Sequence, residues 1–190
     1  MFEYMKHIDT SLFLMLNSMH NEFFDTAMWQ ISKTITWIPL YATLVYFLFK
    51  QHGWKKASFM VLTTLAAVGL SDFVASGIIK NTVCRLRPSQ DPSIQGLVHI
   101  VRDYKGGMYG FVSSHAANTF AIAVCMGYFF NRKWLWYSLL VWCSTVSYSR
   151  IYLGVHYPGD IIGGAIVGIT ISLICTYTYH KISIKSCKTI

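Results

Sequence analysis

Three stretches of this chain gather the residue types that phosphoryl chemistry needs. The first reads Lys80-Asn-Thr-Val-Cys-Arg-Leu-Arg87-Pro88. Residues seven apart on a helix lie about 20° apart in azimuth, so Lys80 and Arg87 can address one anion, although Pro88 pushes Arg87 out of regular helix. An arginine fork suits bidentate recognition of phosphate, and a lysine adds a point charge. The second stretch, Val112-Ser113-Ser114-His115, directly precedes an apolar run. A serine at a helix start leaves backbone N–H groups pointing outward at the positive end of the dipole, which makes an anion site. His115 then falls in the first turn, beside the bound anion. The third runs Ser149-Arg150-Ile-Tyr-Leu-Gly-Val-His156-Tyr-Pro-Gly-Asp160. Arg150 is a third cation. His156 and Asp160 are four apart, a spacing that brings them together on a helix or tight turn. A carboxylate on one imidazole nitrogen fixes the tautomer and frees the other nitrogen to attack.

The elements that must carry these residues are apolar. Of 190 residues, 54% are hydrophobic and only 13% charged, with a mean hydropathy of +0.41; a soluble domain usually carries about a quarter charged residues. The aromatic residues cluster near the ends of apolar runs, as interfacial belts require. A net charge of +8 is spread between and beside apolar segments, which fits membrane flanks and an anionic substrate and argues against a nucleic-acid partner. The five cysteines are scattered and odd in number, so no disulfide framework is expected. No Asp/Glu cluster suits a divalent metal, and no cleaved signal is visible at the start.

Periodicity and length give an all-α membrane bundle. Residues 8–26 alternate apolar and polar at helical spacing and are too polar to span, which suits an interfacial helix. Five spans are expected at about 26–49, 57–79, 114–130, 134–152 and 160–179, each near the roughly 20 residues that cross hydrocarbon. The chain then divides into an N-terminal interfacial segment (1–25), a membrane domain (26–180) and a basic cytoplasmic tail (181–190). The polar loop at 80–112 is of a length usually seen only where it is functional or disordered.

If that loop and the 149–160 turn share one side, each side holds eight basic residues. Several on the loop side have a chemical reason to exist. The short flanks bearing Lys50, Lys55, Lys56, Arg132, Lys133, Lys181, Lys185 and Lys188 therefore read as cytoplasmic, and the site faces outward from the plasma (inner) membrane. Asp72, inside a span, reads as an interhelical hydrogen-bonding group. Gly163, Gly164 and Gly168 read as points of close helix approach. Arg85 is open between the substrate and lipid headgroups.

The three stretches resemble the signature of the type 2 phosphatidic acid phosphatase family, KxxxxxxRP, PSGH and SRxxxxxHxxxD. They read here KNTVCRLRP, VSSH and SRIYLGVHYPGD. Nine fixed positions match in order across residues 80–160; Val112 and Ser114 stand where the family has Pro and Gly. The resemblance implies that His156 attacks phosphorus in line, oriented by Asp160, while His115 protonates the leaving oxygen. Lys80, Arg87, Arg150 and Ser113, with Ser114 beside them, would hold the non-bridging oxygens. Three cations would then neutralise the charge that magnesium neutralises elsewhere, without metal or cofactor. The implied activity is hydrolysis of a phosphomonoester or diphosphate on a membrane lipid through a phosphohistidine. Polyprenyl diphosphate, lipid A, phosphatidylglycerol phosphate and phosphatidic acid are all in range. Two other readings use the same residues. A lipid phosphotransferase would pass the phosphoryl group to an acceptor hydroxyl, and a phospholipid-binding or transport protein would need no His156–Asp160 pair.

Overall fold

The computed structural model describes residues 2–187; Met1 and residues 188–190, the end of the expected basic tail, lie outside the described residues. Among the described residues the chain is helical, with one isolated β-bridge, Leu86–Tyr109, and no strand. Helices α1 (Phe2–Asn17) and α2 (Glu22–Ser32) lead into α3 (Ile38–Asp72). That helix continues through a π-helical segment, Phe73–Ile79, into a last turn, α4 (Lys80–Val83). A connection containing short 3-10 turns follows, and then α5 (Ser114–Phe130), α6 (Lys133–Tyr152) and α7 (Pro158–Cys187).

Gly53 breaks α3, with φ 70° and ψ 169°, a left-handed backbone that glycine adopts without a Cβ penalty. The chain doubles back there. Trp37, Tyr41 and Leu44 line the same cavity as Val68, Thr64 and Val61, pairing early residues with late ones as antiparallel helices do. Among the described residues, two stretches are long and apolar enough to cross a membrane, Thr34–Val83 and Pro158–Ile184, and the first of these is the folded-back pair. Leu62, Leu65 and Phe73 of this region, with Ile162, Ile166 and Leu173 of α7, are large, apolar and exposed, a surface suited to lipid.

The expected first span at 26–49 is not one helix. Lys33 leaves helical geometry (φ −78°, ψ 129°), a 3-10 turn occupies Thr34–Trp37, and α3 starts at Ile38. Pro39 is the physical reason, since it has no N–H for the carbonyl four residues earlier and its ring clashes there. Residues 8–26 are also differently organised. α1 ends at Asn17 and is docked on protein: Phe13 and Asn17 are buried. The Asn17 amide donates to the carbonyls of Tyr152 (2.9 Å), His99 (3.1 Å) and Ile151 (3.2 Å), and its oxygen accepts from His99 N–H at 2.8 Å. Tyr4, Met5 and Met15 keep an exposed apolar face on the same helix.

α5 is the central element, packed between α3, α6 and α7. A Cβ on Gly164 would collide with the Ser113 carbonyl, and one on Gly168 with the Ala117 carbonyl, so these two glycines seat α7 directly on the α5 backbone. Asn118 of α5 donates to Asp72 of α3 at 3.2 Å, the interhelical bond expected of that carboxylate. All eight acidic residues belong to α1, α2, the long connection or the motif-bearing ends of α3 and α7; the opposite helix ends carry Lys50, Lys55, Lys56, Arg132, Lys133 and Lys181 without one.

Candidate active site

The helix carrying Lys80 ends at Val83, because Cys84 turns left-handed (φ 51°). Lys80 and Arg87 therefore do not share a helical face, as their spacing alone implies. Arg87 sits in extended backbone (φ −70°, ψ 155°), where the following proline holds it. Its N–H donates to Met108 O at 3.1 Å, which with the Leu86–Tyr109 bridge ties the stretch to the returning loop. The turn, rather than a helix face, brings Arg87 back toward Lys80.

His156 lies in the turn between α6 and α7 and is 2% exposed. Its Nδ1 faces Asp160 Oδ2 at 3.3 Å, and the same oxygen accepts Tyr157 N–H at 3.0 Å. The proton on Nδ1 is thereby directed at the carboxylate, and Nε2 is the nitrogen left with its lone pair. Burial, and then the charges of Arg87, Arg150 and Lys80, hold His156 well below the ordinary imidazole range. The ring is neutral at neutral pH, and all three motif cations bear on it.

Arg150 is 3% exposed. Its Nη1 donates to Ser32 Oγ, its guanidinium lies 5.7 Å from the Tyr104 ring centroid, and its Nε has no partner among the described residues. Arg87 is similarly placed: Nε donates to Tyr109 O at 3.1 Å, while the buried Nη1 has no partner. Buried guanidinium donors without acceptors are costly, and an oxyanion such as phosphate has the chemistry to satisfy them.

The second motif caps α5, as its sequence reading expects, with both serines hydrogen-bonded within the protein. Ser113 is fully buried; its hydroxyl accepts from Ala116 N–H at 3.5 Å as the cap of α5, and its own N–H donates to Asp160 O at 2.9 Å. Ser113 thus ties α5 to α7. Ser114 receives Lys80 Nζ at 3.2 Å and shares a 2.6 Å hydrogen bond with Ser76. The serine that stands where the family signature has glycine tethers the lysine. His115 lies at the wall of a cavity of about 340 Å³, whose other lining includes Trp37, Tyr41, Leu44, Val61 and Met126.

Several contributors were not legible in the sequence. Ser32 and Tyr104 hold Arg150 from α2 and from the connection. Gly106 is left-handed (φ 66°), and a Cβ there would come within 2.6 Å of Arg87 Nη1. A Cβ on Gly110 would lie 2.9 Å from Asp160 Oδ2. Three glycines within 106–110 were the available signal, since such residues mark close backbone approach. Arg85, open between substrate and headgroups in the sequence, is engaged by protein: its Nη1 donates to Asp160 Oδ1 at 3.1 Å. Among the described residues, no three His, Cys, Asp or Glu side chains converge as a metal site.

Fold and site together describe a helical membrane protein with a buried histidine–carboxylate pair among arginine and lysine side chains. The chain belongs to the PAP2 superfamily, whose profile matches residues 57–184, a span that contains all three motifs. It is 37% identical over 186 residues to the lipid A 4'-phosphatase of Bacteroides thetaiotaomicron, across 97% of this chain and 83% of that protein. It is 34% identical over 169 residues to the lipid A 4'-phosphatase of Porphyromonas gingivalis, across 89% and 72%. In fold it matches the crystal structure of a transmembrane PAP2-type phosphatidylglycerolphosphate phosphatase from Bacillus subtilis. The TM-score is 0.70 over 94% of this chain and 88% of that one, at 20% identity.

Proposed function

We propose that the chain is a membrane lipid phosphatase that acts on lipid A through a phosphohistidine at His156. The observation that carries the mechanism is the convergence of Lys80, Arg87 and Arg150 on the buried His156–Asp160 pair. In this reading Nε2 of His156 attacks phosphorus; the N–P bond forms as the P–O bond to the lipid breaks, and His115 gives its proton to the leaving oxygen. Asp160 offsets the imidazolium charge. Water then attacks the phosphohistidine, returns a proton to His115, and frees inorganic phosphate. The cations hold the non-bridging oxygens as charge shifts between them.

The apolar cavity beside His115 supports a lipid leaving group, since its wall offers hydrocarbon next to the acid that serves that group. Lipid A is favoured over polyprenyl diphosphate, phosphatidylglycerol phosphate and phosphatidic acid by the names of the two relatives. Residues 26–180 form the phosphatase domain. The site faces outward from the plasma membrane and the 181–190 tail lies inside, which the acid-free cationic helix ends support.

The test is phosphate release in detergent with EDTA present, from those four lipids, by wild type and His156→Ala. Release from lipid A should be fastest and should vanish in the variant. No release from any lipid, or an active variant, refutes the reading. Activity that disappears in EDTA and returns with magnesium refutes metal independence. A reporter fused after Ile190 that is active only outside the cytoplasm refutes the orientation.

A further inference from the structure

We infer that Arg85, held in place by Asp9 of α1, is a positioning residue for the Asp160 carboxylate. The inference rests on the phosphatase reading above. It extends the working site to a non-fixed position of the first motif and, for Asp9, to a residue outside the family match at 57–184.

A buried carboxylate needs a charged or fully hydrogen-bonded environment. Asp160 is wholly buried, and the imidazole it faces is neutral in the resting state. His156 therefore supplies no countercharge until the phosphoryl group has been transferred. Arg85 is the cation in hydrogen-bonding contact with Asp160, with Nη1 at 3.1 Å from Oδ1. The two carboxylate oxygens are thus divided: Oδ2 serves Tyr157 N–H and His156, and Oδ1 serves Arg85. Rotation of the carboxylate would break one set of bonds, so Arg85 fixes the plane in which Oδ2 meets Nδ1.

Arg85 is itself fixed from two directions. Its Nη2 pairs with Asp9 Oδ2 at 2.7 Å, and its guanidinium carbon stands 4.0 Å from the Tyr157 ring centroid. Asp9 uses its second oxygen to accept Gly159 N–H at 2.7 Å, one residue before Asp160. Phe13, one helical turn on, packs edge-on against Tyr157 with centroids 5.3 Å apart. α1 therefore grips the first turn of α7 and the arginine together. Arg85 touches neither the reacting atoms nor the phosphate cations' open donors, so its influence passes through Asp160.

The experiment compares purified full-length Arg85→Gln, Arg85→Lys, Asp9→Asn and the Asp9→Asn/Arg85→Gln double variant with wild type, on the lipid that wild type hydrolyses fastest. Arg85→Gln should lower kcat roughly 10- to 100-fold, the scale of loss when a catalytic group is displaced by up to an ångström, with KM within about threefold because Lys80, Arg87 and Arg150 are untouched. Arg85→Lys keeps the charge but cannot hold Asp160 and Asp9 with two fixed donors, so it should recover only part of the loss. Asp9→Asn should lower kcat by about three- to tenfold and add nothing in the double variant, as coupled residues do.

A brace that matters only for folding would lower thermal stability and leave kcat per folded molecule unchanged, which overturns the inference. A raised KM with kcat intact would place Arg85 on the phosphate and also overturn it. If Arg85→Gln fails to fold, Asp9→Asn decides alone, and wild-type kcat in that variant overturns the coupling. Wild-type protein that releases no phosphate overturns the phosphatase reading and this one with it; an active wild type with equally active variants overturns this one only.

Discussion

Replacing Gly110 with alanine should cost about tenfold in kcat while leaving the fold in place. Gly110 is not in the left-handed region, so alanine meets no backbone penalty there. The new methyl would sit 2.9 Å from Asp160 Oδ2 and 3.3 Å from Arg87 Cγ, against the 3.4 Å at which ordinary contact begins. Asp160 must give by about half an ångström, and that oxygen is the one facing His156 Nδ1. A displacement of 1 Å at a catalytic group can cost about 100-fold, so half of it corresponds to about tenfold, or ~1.4 kcal/mol of barrier. The stability terms oppose each other. Removing a glycine stabilises by about 0.4–1 kcal/mol through the unfolded chain, and overpacking costs about 1–3 kcal/mol. The net loss of roughly 1–2 kcal/mol leaves a folded protein. Phosphate release and thermal unfolding should be read on the same preparations. Gly96→Ala is the control, because it lies in the same connection with nothing within 4 Å of its would-be Cβ. A Gly110→Ala kcat within twofold of wild type would refute the steric reasoning, as would an equal loss in Gly96→Ala.

Other outcomes follow from the same contacts. Arg150→Lys should lower kcat/KM by about 100-fold or more, since a lysine cannot hold Ser32 and still present a second fixed donor; a loss under fivefold would contradict that. Because burial and three cations depress the His156 pKa, its acid limb in kcat/KM should fall well below the ordinary imidazole value of about 6.5. Arg87→Gln removes one of those cations and should move that limb upward; a downward move would contradict the assigned cause. The sign for stability agrees: the folded state resists protonating this ring, so His156 costs stability as pH falls below about 6.5. Asn17→Leu should lose about 2–3 kcal/mol, because the carbonyls of His99, Ile151 and Tyr152 lose their donor. An unchanged unfolding temperature would show that α1 is not anchored there.

The parts of the fold legible in the sequence were those written in local patterns. α5 and α6 are helices within a residue of the bounds expected at 114–130 and 134–152, because Ser113 and Asn131 punctuate apolar runs. The first span failed at Pro39, whose effect on the preceding turn outweighed continuous hydropathy. The His156–Asp160 pair came from a four-residue spacing, which made proximity in space dependable, whereas the Lys80–Arg87 spacing misled because the helix ends at Val83. Asp9, Ser32 and Tyr104 lie tens of residues from their partners. Nothing in their own neighbourhoods marks them, and only the packing of α1, α2 and the connection brings them to the site. Ser114 illustrates a subtler limit: its departure from the family signature was visible, but its bond to Lys80 required Ser76 to be placed one turn away.

The family match begins at residue 57, yet Ser32 and Asn17, which hold Arg150 and the α6–α7 turn from outside, precede it. The shortest segment that encodes the reaction is thus longer than the segment that encodes its motifs. The N-terminal third is free to diverge wherever it touches only lipid. Where it meets the catalytic half, each change needs an answering change across the contact.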